Sequence, residues 1–159
     1  VKNPMIKSAQ VYYSLDGYIH VNIQQREPVL RVLTGEGYYV DRDGRVMPLS
    51  SKFTSRVVVA TGDINKKFAC EKLGPFAMKL KNEPFWDAYI EQLVVRSNED
   101  VVMIPKVGDF RIVLGKVDDC EARLEKLMLF LKDGITKKGW NRYKEINLKF
   151  DNQVVCVRK

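Results

Sequence analysis

Residues 90–115 read IEQLVVRSNEDVVMIPKVGDFRIVLG. Three short runs rich in Val, Ile and Leu are separated by two clusters of turn formers, Ser97-Asn98-Glu99-Asp100 and Lys106-Val107-Gly108-Asp109. Leu93, Val94 and Val95 suit either the tail of a preceding helix or a strand. The turn behind them favours a strand from about Ile90 to Arg96, and hence a three-stranded meander.

Upstream, Ile64 to Tyr89 reads as mostly helical, with a break expected at Gly74-Pro75 and Pro84 near a first turn. Arg56 to Thr61 is an apolar β-branched run and reads as a buried strand. Tyr38-Tyr39-Val40 and Arg45-Val46-Met47 flank Asp43-Gly44, which supplies the backbone freedom of a tight turn. Val29 to Leu33 reads as a strand leading to a Gly35-Glu36-Gly37 turn, and Pro28 interrupts the ladder before it. Tyr18 to Glu27 alternates, and Asp16-Gly17 signals a hairpin joining it to a strand over Ala9 to Ser14. Asn3 and Pro4 predict a helix over residues 3–8, as N-cap and first helical residue.

Downstream, Asp118 to Lys132 is the clearest helix. Asp118 and Glu121 are spaced as a capping box, Leu124, Leu127, Met128 and Leu131 form the apolar stripe, and Gly134 is expected to end it. A basic loop with Lys137, Lys138, Gly139 and Trp140 leads to Tyr143. Two alternating segments follow, EINLKF (145–150) and QVVCVR (153–158), joined by Asp151-Asn152. They form one long bent strand or a tight hairpin.

The 159 residues, 45% hydrophobic and 30% charged, fit a soluble globular chain of about one domain or two small ones. The longest apolar run, Val57 to Ala60, is far short of a membrane span. The net charge of +7 is spread thinly rather than run together. No signal peptide opens the chain, which starts as though cut from something longer.

Enzyme chemistry lacks its parts. There is one histidine, His20, placed in a strand pattern, and no phosphate-cradling glycine loop, dinucleotide fingerprint or HExxH. Asp41 with Asp43, and Asp118 with Asp119, could pair as acid and base, but a hairpin turn and a helix cap explain them more simply. Cys70, Cys120 and Cys156 are too far apart to form a metal set with His20, so no metal or cofactor is expected. A basic, β-rich nucleic-acid-binding domain is the alternative reading. It would stack bases on Tyr12, Tyr13, Tyr18, Tyr38 and Tyr39, although no RNP-like phrase accompanies them.

The order of motifs resembles the extracytoplasmic part of the FtsQ/DivIB bacterial cell-division family. The phrase NPMIKSAQVYYSLDGYIHVNIQQREPVLRV resembles the second half of a POTRA domain, and GYYVDRDGRVMPL the hairpin that follows it. FRIVLGKVDDCEARLEKLMLFL resembles a strand, Leu-Gly turn and helix of the family's β-domain, and YKEINLKFDNQVVCVR its terminal strand region. Three positions depart from the pattern: Asn147 replaces an Asp, Phe150 a Tyr and Gln153 a glycine.

The resemblance implies an α+β fold. A partial POTRA sheet and helix over 1–33 would precede a mixed, largely antiparallel β-domain with flanking helices over 34–159. It further implies a non-enzymatic divisome scaffold that binds FtsB- and FtsL-like proteins. Such a protein is anchored in the inner membrane by a single helix absent here, with this region on the periplasmic side. The truncated POTRA sheet is expected to permit self-association.

The residues supply a mechanism. A terminal alternating strand readily lies at a sheet edge, where unpaired N–H and C=O groups accept an added strand. The partner-binding residues expected there are Lys149, Phe150, Gln153, Val154, Val155, Val157 and Arg158. Lys149-Phe150 matches the basic-aromatic pair that, by resemblance, contacts FtsB. Phe150 facing the domain's own core is the competing reading, and Cys156 is read as packing.

Overall fold

The computed structural model describes residues 2–135, 139 and 142–159. It is an α+β protein with two sheets. The first is a lone hairpin of β1 (Ile6–Tyr13) and β2 (Ile19–Gln25). The second has nine strands. In chain order these are β3 (Pro28–Val32), β4 (Tyr38–Asp41), β5 (Val46–Pro48), β6 (Val58–Gly62), β7 (Ile90–Arg96), β8 (Asp100–Pro105), β9 (Arg111–Gly115), β10 (Tyr143–Asn147) and β11 (Val155–Arg158). Their order across the sheet is β11-β10-β9-β8-β7-β6-β3-β4-β5. The expected meander is β7-β8-β9, antiparallel throughout. The two sheets part between Gln25 and Pro28, ahead of residue 33, because β3 pairs with β4 and β6.

Helices bridge two of the three parallel pairs, β6–β7 and β9–β10, whereas β3 reaches β6 through β4 and β5. Between β6 and β7 lie α1 (Lys66–Phe68), a π turn (Ala69–Leu73), α2 (Gly74–Asn82) and α3 (Pro84–Tyr89). Between β9 and β10 lies α4 (Glu121–Leu129), which continues as a π turn over Phe130–Ile135. These crossovers supply Phe68, Leu73, Phe76, Leu80 and Trp86 from one side and Leu124, Leu127 and Leu131 from the other. All pack on one sheet face, against Val32, Val40, Leu93, Met103, Ile112 and Ile146. The alternation of strand side chains sends Arg31, Tyr39, Gln92 and Asn147 to the opposite face.

Four sequence expectations are corrected. Residues 3–8 are not a helix. Asn3 Oδ1 accepts the Met5 N–H and Asn3 O the Ile6 N–H, one Asx-type turn from which β1 starts directly. Asn-Pro opens a helix and an Asx turn alike, and pairing of Ala9, Val11 and Tyr13 with Ile23, Val21 and Ile19 decides for the strand.

The helix does not break at Gly74-Pro75. Gly74 donates five residues back to Ala69 O, and this wider π turn makes room for the Pro75 ring, which would press on the carbonyl four residues back in a regular helix. The break falls at extended Glu83, ahead of Pro84.

Asp118 and Glu121 form no capping box. The cap of α4 is Cys120, which makes no side-chain bond, while the two carboxylates turn outward to Lys72 and Lys79. Nor does Gly134 end the helical path, which runs on to Ile135. Lys137, Lys138 and Trp140 lie outside the described residues.

Candidate strand-docking edge

The terminal segments form a hairpin. Asn152, at φ 59°, turns the chain, and β11 runs antiparallel to β10 with Asn147 opposite Val155, Ile146 opposite Cys156 and Glu145 opposite Val157. β11 is the last strand of the sheet, with β10 on one side and no strand on the other among the described residues.

Main-chain groups alternate along a strand, so the two flanks of β11 can be assigned. Leu148 donates its N–H to Val113 O on β9, which leaves Asn147 and Glu145 facing β11. Their partners Val155 and Val157 therefore spend their N–H and C=O on β10. The Lys159 N–H bonds Arg142 O in the same phase. The amides and carbonyls of Cys156 and Arg158 consequently face outward, away from the sheet.

Side chains follow the same alternation. Cys156, opposite fully buried Ile146, turns toward the helix layer and packs on the core with Val154. Burial pushes its thiol upward in pKa, away from thiolate chemistry. Val155 and Val157 lie on the other face, Val157 being 47% exposed.

The turn before β11 is held from below. Lys126 of α4 donates to Phe150 O at 2.6 Å. Phe150 is 46% exposed and takes no place in the core, which removes the competing reading of that side chain. Lys149 packs its stem over Gly115, where a Cβ would come within 3.0 Å of Lys149 Cγ. Its ammonium is engaged within the chain, 3.0 Å from Asp100 Oδ1.

Thus Phe150, Gln153, Val157 and Arg158 are open along one margin, Val154 and Val155 are half-buried in it, and Lys149 leans onto β8. Lys126 and Asp100 were not among the expected site residues. Both come from distant parts of the chain, and no local pattern marks them.

At the far end, Lys159 pairs with Asp109 at 2.9 Å, and that bond holds the Asp109 carboxyl below its ordinary pKa. Asp100 and Asp109 offset Lys149 and Lys159, and Arg142, Lys144 and Arg158 against Glu145 and Asp151 leave the edge with a small positive excess.

The other candidate chemistry does not assemble. Asp41 is 2% exposed and accepts from Arg26 at 2.8 Å and from the Asp43 and Arg45 N–H groups, a structural role at the β4–β5 turn. His20 stacks on Tyr12 at 5.0 Å and bonds Ser14 Oγ at 3.0 Å. The five tyrosines form no common stacking platform. Tyr12 and Tyr13 point to opposite faces of the hairpin, and Tyr38 and Tyr39 are buried in the other sheet. The three cysteines are free.

The family model described as FtsQ/DivIB, C-terminal related, matches residues 27–157. The chain belongs to this family. The match starts between the lone hairpin and β3 and runs into β11, so it covers the nine-stranded sheet and its helices as far as Val157. Membership carries a role in cell division within a non-enzymatic, membrane-associated family. No curated protein matches the chain. No helix among the described residues is long and apolar enough to cross a membrane.

Proposed function

We propose that this FtsQ/DivIB-related chain is a non-enzymatic divisome scaffold that binds FtsB- and FtsL-like partners by accepting a strand beside β11. The observation that carries this reading is the open main-chain flank of Cys156 and Arg158 at the end of the sheet. Backbone pairing supplies affinity, and the flanking Phe150, Gln153, Val157 and Arg158 supply selectivity. The basic margin favours an acidic partner strand, and Lys149 reaches such a partner by exchanging Asp100 for the partner's carboxylate.

In the full protein, a single helix upstream anchors the chain in the inner membrane, and this region works in the periplasm, linking early and late division proteins at the septum. The lone hairpin is read as the C-terminal part of a POTRA unit. Its apolar face of Val11, Tyr13, Ile19, Val21 and Ile23 is exposed, and this is the surface on which the fragment would self-associate.

The test is titration of an FtsB-like C-terminal peptide against Phe150→Ala. We expect binding to weaken about tenfold while the melting temperature stays within about 2 °C of wild type. Unchanged affinity would remove the edge from the mechanism. Retention of single-stranded RNA that falls with salt would favour the nucleic-acid reading instead.

A further inference from the structure

A second surface lies on the helix layer, well apart in character from the β11 edge. Between α3 and the end of α2 on one side and α4 on the other runs a groove of about 480 Å³. Its floor is Trp86, Leu124, Met128 and Leu129. Trp86 and Leu124 belong to the core, whereas Leu129 is 63% exposed although it extends the apolar floor.

The rim is charged and one-sided. Glu83 stands on one wall, Glu121 and Glu125 on the other, with Lys79 as the single cation. Lys79 is neutralised by its ion pair with Glu121. Glu83 and Glu125 form no ion pair among the described residues. A chain of net charge +7 thus carries an apolar trough with two uncompensated carboxylates facing each other across it.

We propose that this groove docks an amphipathic helix whose apolar stripe is flanked by lysine or arginine. Both walls are built mainly from helices and contain no strand, so the groove offers no sheet edge for an added strand. What it offers is a stripe of apolar side chains, which a partner reads with anchors at i, i+3 or i+4, and i+7. Cations on either side of that stripe meet Glu83 and Glu125, which sets orientation and excludes acidic helices. The site makes no use of β11, so both surfaces can be occupied at once, one by a strand and the other by a helix.

The experiment measures fluorescence anisotropy of a labelled, amidated peptide with the pattern LKKLLKL repeated twice, about four helical turns, added to the whole chain. The control peptide carries Glu in place of every Lys. We expect the Lys peptide to bind and the Glu peptide not to bind. Leu129→Asp, at an exposed position, should weaken binding about tenfold or more. Glu83→Lys with Glu125→Lys should do the same and capture the Glu peptide instead. Amide and indole resonances of Leu129 and Trp86 should shift on binding. Failure of the Lys peptide to bind, equal binding by both groove variants, or shifts confined to β11 would each overturn the proposal. So would concentration-dependent dimerisation of the chain alone that Leu129→Asp abolishes, since the occupant would then be a second copy. Phe150→Ala leaves this binding unchanged, so the groove and the edge stand or fall separately.

Discussion

Arg26, just after the lone hairpin, places its guanidinium 2.8 Å from the carboxylate of Asp41, at the end of β4 and 2% exposed. This pair joins the two sheets where the chain passes from one to the other. Asp41 also accepts two N–H groups of its own turn, so its lone pairs are filled by one cation and by backbone. A carboxylate withdrawn this far from water is tolerable only with such compensation. Asp41→Ala should therefore cost about 3 kcal/mol, because it strands a half-buried guanidinium and frees two turn amides. Urea unfolding measures it, and a loss below about 1 kcal/mol would mean that water already solvates the pair.

The alternation of β11 makes a sharper prediction from proline. At Arg158 the N–H faces outward, so Arg158→Pro removes a donor that only a partner uses. Binding of a strand peptide should fall further for Arg158→Pro than for Arg158→Ala, with little difference in unfolding midpoint. At Val157 the N–H faces β10, so Val157→Pro should destabilise the terminal hairpin by about 3 kcal/mol. Reversal of that ranking would show that the phase of the ladder is the opposite one.

Lys126 reaches from α4 to the carbonyl of Phe150 at 2.6 Å, and Lys149 reaches Asp100 at 3.0 Å. The first contact shapes the turn that presents Phe150, and the second competes with a partner. Lys126→Met keeps the apolar stem and loses the bond, so it should cost about 1 kcal/mol and loosen the turn. Asp100→Asn should raise affinity for an acidic strand peptide by about threefold at low salt, an advantage that disappears as salt rises. If affinity falls instead, Asp100 positions Lys149 for the partner rather than competing with it.

These residues also show which parts of the molecule can be read without coordinates. Period-two runs bounded by Asp-Gly or Asn-Glu turns became strands because each segment carries both its burial pattern and its punctuation. The meander and the β4–β5 hairpin are of this kind. Misreadings arose where one local signal serves two structures. Asn3-Pro4 suits a helix start or an Asx turn, and Asp118 with Glu121 suits a capping box or two outward ion pairs. Gly74-Pro75 suits a break or a helix that widens into a π turn, and only packing on the sheet decides. The terminal strand was legible as a strand. The phase of its open amides was not, since it depends on Leu148 bonding to Val113, a contact between segments separated by α4.

The outer ties between the hairpin and the main sheet are exposed and acid-sensitive. Lys7 lies 2.8 Å from Asp43, and Lys81 lies 3.0 Å from Glu27. The hydrogen bond from Lys7 holds Asp43 below its ordinary 3.8, and the one from Lys81 holds Glu27 below its ordinary 4.5. A carboxyl whose folded pKa is depressed contributes its stabilisation above the unfolded value and loses it as pH falls through the folded one. Acidification should therefore release these two contacts below about pH 4. Amide exchange in β1 and β2 should accelerate over that interval before the nine-stranded sheet responds. Lys7→Ala should return Asp43 to its usual titration, read from its carboxyl carbon by NMR. An unchanged Asp43 titration in that variant would assign its depression to the neighbouring Arg26 and Arg45 charges instead.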